Sequence, residues 1–152
     1  MQYRNYLDSP VGVLEIVSDK QNILAINFVK KIGQNSDNTL GTKCVVQLNQ
    51  YFKSKRKKFD LPIKLAGTNW QNKVWLALSK IPYGSVISYS DLAKMVGNPL
   101  ASRAIGQAVN KNKIPIIIPC HRVVGATGRL VGYAGGLKNK KYLISLENSV
   151  NF

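Results

Sequence analysis

One short run of the sequence sets a nucleophile beside a base. Residues 116 to 124 contain Cys120 followed by His121, which is the only histidine in the chain. Three isoleucines between two prolines lead into this pair, and they predict a short, fully buried segment that delivers Cys120 to a rigid turn. The run therefore indicates nucleophilic chemistry at a positioned thiol, although a lone cysteine is also a common small buried packing residue.

A reactive Cys120 needs neighbours that lower the pKa of its thiol, because the thiolate is the nucleophile. His121 and Arg122 are the nearest candidates. If Cys120 and His121 were both extended, their side chains would point to opposite faces, so contact requires a turn or a bridging water. With no second histidine, a carboxylate, an amide or a backbone carbonyl must orient His121. The only acidic residues after position 66 are Asp91 and Glu147.

The charge of the chain indicates a polyanionic partner. There are 22 Lys and Arg residues against 7 Asp and Glu, giving a net charge of +15. Residues 66–152 hold 11 basic and 2 acidic residues, and residues 1–65 hold 11 and 5. The run Lys53–Lys58 is interpreted as a solvated linker, so the scarcity of acids near Cys120 is the stronger indication.

Cysteine content and hydropathy narrow the class of protein. Two cysteines, Cys44 and Cys120, provide neither a disulfide framework nor paired metal ligands, so no metal and no cofactor are expected. Cys44 lies in a helix-like run and is interpreted as a packing residue. No apolar stretch is long enough for a membrane span, and the first ten residues lack a signal-peptide core. We expect a cytoplasmic protein, associated with the nucleoid or nuclear where the cell has a nucleus.

The pattern predicts two domains, 1–65 and 66–152. Three short strands near residues 2–7, 13–17 and 23–28 form a predicted antiparallel meander, and residues 40–53 fit a helix. The second domain is mostly helical, with a helix over 69–79, a short helix capped by Ser88 or Ser90, and a third helix from about Leu100 to Val109. The expected fold class is α+β.

The second and third helices of this domain have the form of a helix-turn-helix. The Gly97, Asn98, Pro99 sequence separates them, and the later helix has a small-residue face that would permit close approach to a nucleic-acid backbone. Small residues also serve ordinary helix packing, so this pattern leaves both interpretations open. Its members are Ala101, Ser102, Ala104, Gly106 and Ala108.

The sequence Pro119, Cys120, His121, Arg122, Val123 resembles the active-site signature of the O6-alkylguanine-DNA alkyltransferases, also called methylated-DNA-protein-cysteine methyltransferases. The resemblance covers roughly residues 66–148, and the first 65 residues match only loosely. Matching positions before the signature include Gly67, Thr68, Gln71, Val74, Trp75, Pro82, Gly84, Ser88, Tyr89, Gly97, Asn98, Pro99, Arg103 and Asn112. Those after it include Gly128, Tyr133, Gly135, Gly136, Leu137, Lys140, Leu143 and Glu147.

This resemblance implies an RNase H-like N-terminal domain and a DNA repair reaction that occurs once per molecule. The Cys120 thiolate would take a methyl or larger alkyl group from O6-alkylguanine, and also from O4-methylthymine, in double-stranded DNA. His121 would act as a water-mediated base oriented by Glu147. Asn112 would structure the turn near Cys120, and Tyr89 would donate a proton to the purine.

The resemblance also implies how the DNA is held. The small-faced helix would bind the minor groove through Ala101, Ser102, Ala104 and Gly106, with Arg122 as a further DNA contact. Arg103 would fill the space of a nucleotide rotated out of the stack, because the O6 atom of a paired guanine is out of reach. Tyr89 would assist that rotation by crowding the 3′ phosphate. The alkyl pocket would be formed by Tyr133, Ala134, Gly135 and Lys140, although Lys140 could equally be a solvated surface lysine.

Two departures from the family pattern remove no reacting group. Trp70 stands where the family commonly has Phe, and Lys113 follows Asn112 where the family commonly has Pro. Lys113 could lower the pKa of Cys120 or face solvent.

Other classes of function remain distinguishable from a DNA alkyltransferase. A binding-only relative would lack the reactive cysteine, and a cysteine hydrolase would turn over and ignore DNA. A helix-turn-helix regulator would need a dimerisation helix, which is not evident, so we expect a monomer.

Overall fold

The structure is a computed structural model that describes residues 1–148. It divides into two compact units, Met1–Leu65 and a second unit that begins at Ala66. No helix within the described residues is both long and apolar enough to cross a membrane.

The first unit is a three-stranded antiparallel sheet covered by one helix. Its strands are β1 (Tyr3–Ser9), β2 (Gly12–Ser18) and β3 (Ile23–Val29), in the order β1-β2-β3. The helix α1 (Thr39–Phe52) packs on the sheet, and its inner face buries Cys44 completely. Alternation of apolar residues along each strand supplies the other side of this core. The predicted meander and helix are confirmed, and Cys44 is a packing residue as expected.

The second unit has four α-helices and one 3₁₀ helix within its described residues. The α-helices are α2 (Asn69–Leu78), α3 (Tyr89–Met95), α4 (Ser102–Asn110) and α5 (Leu137–Glu147), and the 3₁₀ helix is Cys120–Arg122. Two short parallel strands pair with each other: β4 (Ile87–Ser88) directly precedes α3, and β5 (Val123–Val124) directly follows the 3₁₀ helix. This pairing fixes the position of Arg122 and the residues before it relative to the start of α3.

Local sequence signals determine where α2 and α3 begin. Thr68 caps α2 and Ser88 caps α3, each through a capping box whose second member is Gln71 or Asp91. Of the two serines considered as caps, Ser88 is therefore the one used. The turn from α3 to α4 contains Gly97 at φ 79°, a left-handed conformation that glycine adopts without strain.

The isoleucine run before Cys120 forms a tight turn. The Ile118 amide donates to the Ile114 carbonyl at 2.9 Å, and Ile116 has φ 74°. A β-branched residue in this left-handed region is a true outlier that costs about 1–3 kcal/mol. The prediction of a fully buried run is wrong for Ile117, which is partly exposed because the turn directs it away from the core.

Candidate active site

Cys120 occupies the first position of the 3₁₀ helix and is almost completely buried. Its side chain lies below the surface, with 5% of the residue exposed, and its amide donates to the Ile118 carbonyl at 2.8 Å. Pro119, with its fixed φ, precedes the helix and directs the chain from the isoleucine turn into it. The thiol is therefore held by a rigid backbone on both sides.

Asn112 connects this turn to the end of α4. Its Nδ2 donates to the Ile118 carbonyl at 2.8 Å, and its Oδ1 accepts from the Ile114 amide at 3.0 Å. The same side chain forms a hydrogen bond with the Cys120 thiol. One buried amide thus holds both ends of the isoleucine turn and contacts the nucleophile.

His121, Arg122 and Glu147 form a buried network beside Cys120. The Nε2 atom of His121 lies 2.7 Å from Oε2 of Glu147. Arg122 donates from Nε and Nη2 to the two carboxylate oxygens at 2.8 and 2.9 Å, and from Nη1 to the Ile81 carbonyl at 2.7 Å. The Gly84 amide adds a longer hydrogen bond to Oε1 at 3.3 Å. Of the two carboxylates that could orient His121, Glu147 is the one that contacts it.

The prediction that Arg122 contacts DNA is wrong. Only 7% of the residue is exposed, and its guanidinium is committed to Glu147 and to the Ile81 carbonyl. A phosphate could bind Arg122 only by breaking this buried pair, which is costly because both charges would lose their partner. Arg122 instead joins the 3₁₀ helix to α5.

Hydrogen bonding and burial set the charge state of this network. Burial alone would raise the pKa of the Glu147 carboxyl, but hydrogen bonds from His121 and Arg122 outweigh it and lower the pKa to about 2. Burial lowers the pKa of His121, and the charges of Arg122 and Lys140 lower it further, against the opposing effect of Glu147. At neutral pH the pair is an ionised carboxylate and a neutral imidazole.

The tautomer of neutral His121 leaves a lone pair on Nδ1. A neutral imidazole carries one proton, and the contact with ionised Glu147 requires that proton on Nε2. Nδ1 is buried and makes no hydrogen bond to any residue in the described range. Nδ1 is therefore the basic atom of the site.

The Cys120 thiol is protonated in this resting arrangement. Burial raises its pKa to about 11, although the hydrogen bond with Asn112 and the charge of Lys140 both lower it. Lys113 does not act on the thiol, because it is exposed and its ammonium donates to the Ala66 carbonyl at 2.9 Å. The cation that faces Cys120 is Lys140.

Lys140 is fully buried, so the interpretation of it as a solvated surface lysine is wrong. Its ammonium donates to the carbonyls of Val131 and Gly132 at 2.8 and 3.3 Å, which offsets part of the cost of burial. Tyr89, the first residue of α3, donates its hydroxyl to the same Val131 carbonyl at 3.2 Å. The carbonyl oxygen of Val131 thus attaches the loop before α5 to both α5 and α3.

Three of the residues predicted to form the alkyl pocket, Tyr133, Ala134 and Gly135, lie in this loop, and the fourth, Lys140, lies on α5. Burial raises the pKa of Tyr133 well above its usual value, and the charges of Cys120 and Glu147 act in the same direction. This electrostatic influence places Tyr133 near Cys120, whereas Ala134 is exposed and Gly135 is partly exposed. The Gly135 carbonyl accepts a hydrogen bond from Asn139 at 2.8 Å, which holds the loop against the first turn of α5.

Apart from Arg122, the predicted DNA-binding residues lie at the N-cap and in the first half of α4. Ser102, Arg103 and Ala104 are exposed, and Ala101 and Gly106 are partly exposed. A Cβ added at Gly106 would meet open space, so this stretch offers a low surface from which Arg103 protrudes. The buried residues of α4 are Ile105, Ala108 and Val109.

Two contacts that the sequence pattern does not reveal hold α4 in place. The indole Nε1 of Trp70 donates to the Ala104 carbonyl at 3.3 Å, and that of Trp75 donates to the Ala108 carbonyl at 2.9 Å. The sequence predicted the helix over 69–79, but no local signal shows which carbonyl a distant indole will bind. Among the described residues, no group of three or more His, Cys, Asp or Glu side chains could hold a metal ion.

Comparisons with known proteins match nearly the whole chain. The family description "6-O-methylguanine DNA methyltransferase, DNA binding domain" matches residues 69–149, and the description of its ribonuclease-like domain matches residues 2–65. A methylated-DNA–protein-cysteine methyltransferase of Methanosarcina acetivorans is 42% identical, with 97% of this chain and 99% of the relative covered.

Solved structures support the same assignment. The O6-methylguanine methyltransferase of Mycobacterium tuberculosis has a TM-score of 0.89 and 38% identity, covering 98% of this chain and 94% of that one. The Mycobacterium tuberculosis OGT in complex with DNA gives the same TM-score at 39% identity, covering 96% and 92%. This similarity confirms the predicted α+β architecture, with the N-terminal sheet followed by a helical region. A buried Cys120 is followed directly by His121, which contacts Glu147. With these matches, the chain belongs to the 6-O-methylguanine DNA methyltransferase family.

Proposed function

We propose that this protein repairs double-stranded DNA by direct reversal of alkylation, with Cys120 as the acceptor of the alkyl group from O6-alkylguanine. The single observation that carries the proposal is that the cysteine and a base are neighbours along the chain. The nucleophile is followed directly by His121, whose Nε2 is bound to an ionised Glu147 at 2.7 Å. O4-methylthymine is the second expected substrate, since it presents the same type of alkylated oxygen.

Duplex DNA would bind along the exposed side of α4. The net charge of +15 favours a polyanion, and Ser102, Arg103 and Ala104 face solvent. Because Cys120 is buried, the target nucleotide has to leave the base stack to reach it. Arg103 is the exposed side chain of α4 with the length and charge to occupy the space that the nucleotide vacates.

The proton of the thiol leaves through His121. The Nδ1 atom carries the free lone pair, and in the proposed path a water molecule passes the thiol proton to it. Protonation of the imidazole is stabilised by the carboxylate of Glu147 on the other side of the ring. The high pKa of Cys120 in the resting protein is compatible with this reaction, because the thiolate forms only as the proton moves to His121.

The bond changes follow a single displacement. The thiolate sulfur forms a bond to the alkyl carbon while the bond from that carbon to the guanine oxygen breaks, and the electron pair stays on the purine. Tyr89 donates a proton to the purine and recovers one from solvent. Burial raises the pKa of Tyr89, so its hydroxyl is protonated and available as a donor.

The product is a thioether on Cys120, which limits the protein to one reaction. A thioether has no leaving group that water can displace, unlike an acyl ester. Tyr133, Ala134 and Gly135 would line the pocket that receives the alkyl group, and Lys140 would hold this loop and lower the pKa of Cys120. We assign this chemistry to residues 66–152, and residues 1–65 to a separate N-terminal domain.

The proposed setting is that of a monomer acting on the chromosome. Each step uses side chains from one copy of residues 66–152, so no second copy is required at the site. The protein would therefore work in the cytoplasm at the nucleoid, or in the nucleus of a cell that has one.

Intact-protein mass spectrometry tests the proposal. The protein is incubated with duplex DNA that contains one O6-methylguanine, with undamaged duplex as the control. We expect the mass to increase by one methyl group per protein and then stop, with the added mass located on the peptide that contains Cys120. An unchanged mass with selective binding of the damaged duplex would indicate a binding-only protein, and repeated product release would indicate a hydrolase.

A further inference from the structure

Two indole groups attach α4 to α2 at successive turns. Trp70 donates to the Ala104 carbonyl and Trp75 donates to the Ala108 carbonyl. Residues four apart lie on the same side of a helix, so both acceptors face α2. Two attachment points on one side can fix the rotation of a helix as well as its distance, which one point cannot.

The two attachments differ in their surroundings. Trp75 is 1% exposed and belongs to the core, whereas Trp70 is only partly buried. Beside Trp70, a surface cavity separates α2 from α4, and its lining includes Gln71, Ala104 and Gln107. Close packing therefore fixes α4 near Ala108, while the indole hydrogen bond is the polar attachment near Ala104.

The beginning of α4 is packed through the buried Ile105 but has few polar side-chain contacts. Ala101 occupies the N-cap position without a side-chain hydrogen bond, and Leu100 before it is 94% exposed. This first turn carries Arg103, and its only indole attachment within the described residues is the one made by Trp70.

We propose that Trp70 is a positioning residue for DNA recognition, which fixes the rotation of α4 and thereby the direction of Arg103. The inference rests on the proposed function, since it assigns Arg103 to the duplex. Cα atoms lie about 2.3 Å from a helix axis, so a rotation of about 30° moves them by about 1.2 Å, and a long side chain moves further. Displacements of this size are enough to impair a positioned reaction.

The inference predicts a separation between two reactions of the same protein. None of the hydrogen bonds described around Cys120, His121 and Glu147 involves Trp70. Loss of the indole N–H should therefore weaken the reaction with duplex DNA, which needs Arg103 in place. The reaction of Cys120 with a free alkylated base, which needs no DNA contact, should be unchanged.

The test compares Trp70→Phe with the wild-type protein, because phenylalanine keeps an aromatic ring and removes the N–H donor. We expect the second-order rate of methyl transfer from duplex O6-methylguanine to fall about threefold to tenfold, the range that one net hydrogen bond supplies. The rate with free O6-benzylguanine should stay at the wild-type value. Tyr142→Phe, which removes a polar group from a partly exposed aromatic residue of α5, is the control and should leave both rates unchanged.

Thermal unfolding of each variant shows whether both are folded at the assay temperature. Equal duplex rates for Trp70→Phe and wild type would overturn the inference. An equal fall in both reactions would also overturn it, because the change would then act on Cys120 and not on the DNA contact. If the wild-type protein transfers no methyl group from duplex DNA, the proposed function itself fails, and the inference fails with it.

Discussion

The two cysteines are both buried, but the groups around their thiols differ. Cys44 sits in the inner face of α1, where burial raises its pKa to about 12 with no polar group acting against it. Cys120 is also buried, but Asn112 and Lys140 oppose the effect and its pKa is about 11. The values are close, so the resting pKa is not what separates a packing cysteine from a nucleophile. In the proposed reaction the difference is the adjacent base, His121, which would take the proton from the Cys120 thiol.

The largest expected effect comes from removing each thiol in turn. Cys120→Ser should abolish methyl transfer, because a serine hydroxyl is too weak a nucleophile without a thiolate. Cys44→Ala should keep the full transfer rate and lose only about 1 kcal/mol of unfolding free energy from the small cavity. Intact-mass kinetics and urea unfolding measure the two effects. A loss of transfer in the Cys44 variant would show that the two regions are not independent.

One carboxylate in each unit pairs with an arginine, Glu147 in the second unit and Glu15 in the first, and the two pairs differ in burial. Glu147→Gln removes the charge that Arg122 pairs with in the core, and should cost about 3–5 kcal/mol of unfolding free energy. Glu15→Gln alters a more exposed pair, in which Arg4 lies 3.8 Å from the carboxylate, and should cost less than about 1 kcal/mol. Urea unfolding of both variants gives these values. Equal costs would mean that the buried network contributes no more than a surface ion pair.

Acid should destabilise the protein through the same network. The pKa of Glu147 falls from 4.5 to about 2 on folding, so its contribution is present above the unfolded value and is lost as pH falls towards 2. That shift corresponds to roughly 3 kcal/mol. The lowered pKa of His121 acts in the same direction below its unfolded value of 6.5. Urea unfolding between pH 7 and pH 3 should show this decline, and it should be smaller in Glu147→Gln.

The smallest effect distinguishes a buried lysine from an exposed one. Lys140→Met removes the cation that lowers the pKa of Cys120, so transfer should slow about tenfold at neutral pH and recover at higher pH. Lys113→Met should change the rate by less than about twofold, since its ammonium is bound to the Ala66 carbonyl at the surface. Rates measured against pH test both expectations. A pH profile of Lys140→Met that matches wild type would show that Lys140 does not affect the pKa of Cys120.

Local patterns predicted the elements of this fold well, because periodicity and capping act over a few residues. The three strands, α1 and the cap at Ser88 all follow from such signals. The sequence could also place the nucleophile, since Cys120 and His121 are neighbours along the chain.

Long-range pairing explains what the sequence could not predict. Arg122 is a basic residue in a basic chain, and only the fold shows that Glu147, on α5, neutralises it. Lys140 has exposed neighbours along α5, so its burial depends on the loop carbonyls that meet it. The left-handed conformation of Ile116 goes against its residue type and is imposed by the hydrogen bonds of Asn112 around it.

The burial of Cys120 also determines how long an unused molecule stays usable. Oxidants such as peroxide attack the thiolate and convert an exposed, ionised cysteine to sulfenic acid and beyond. A thiol that is 5% exposed and has a pKa of about 11 presents almost no thiolate to them at neutral pH. For a protein consumed by one reaction, this shielding favours keeping the acceptor thiol reduced until an alkylated base reaches it.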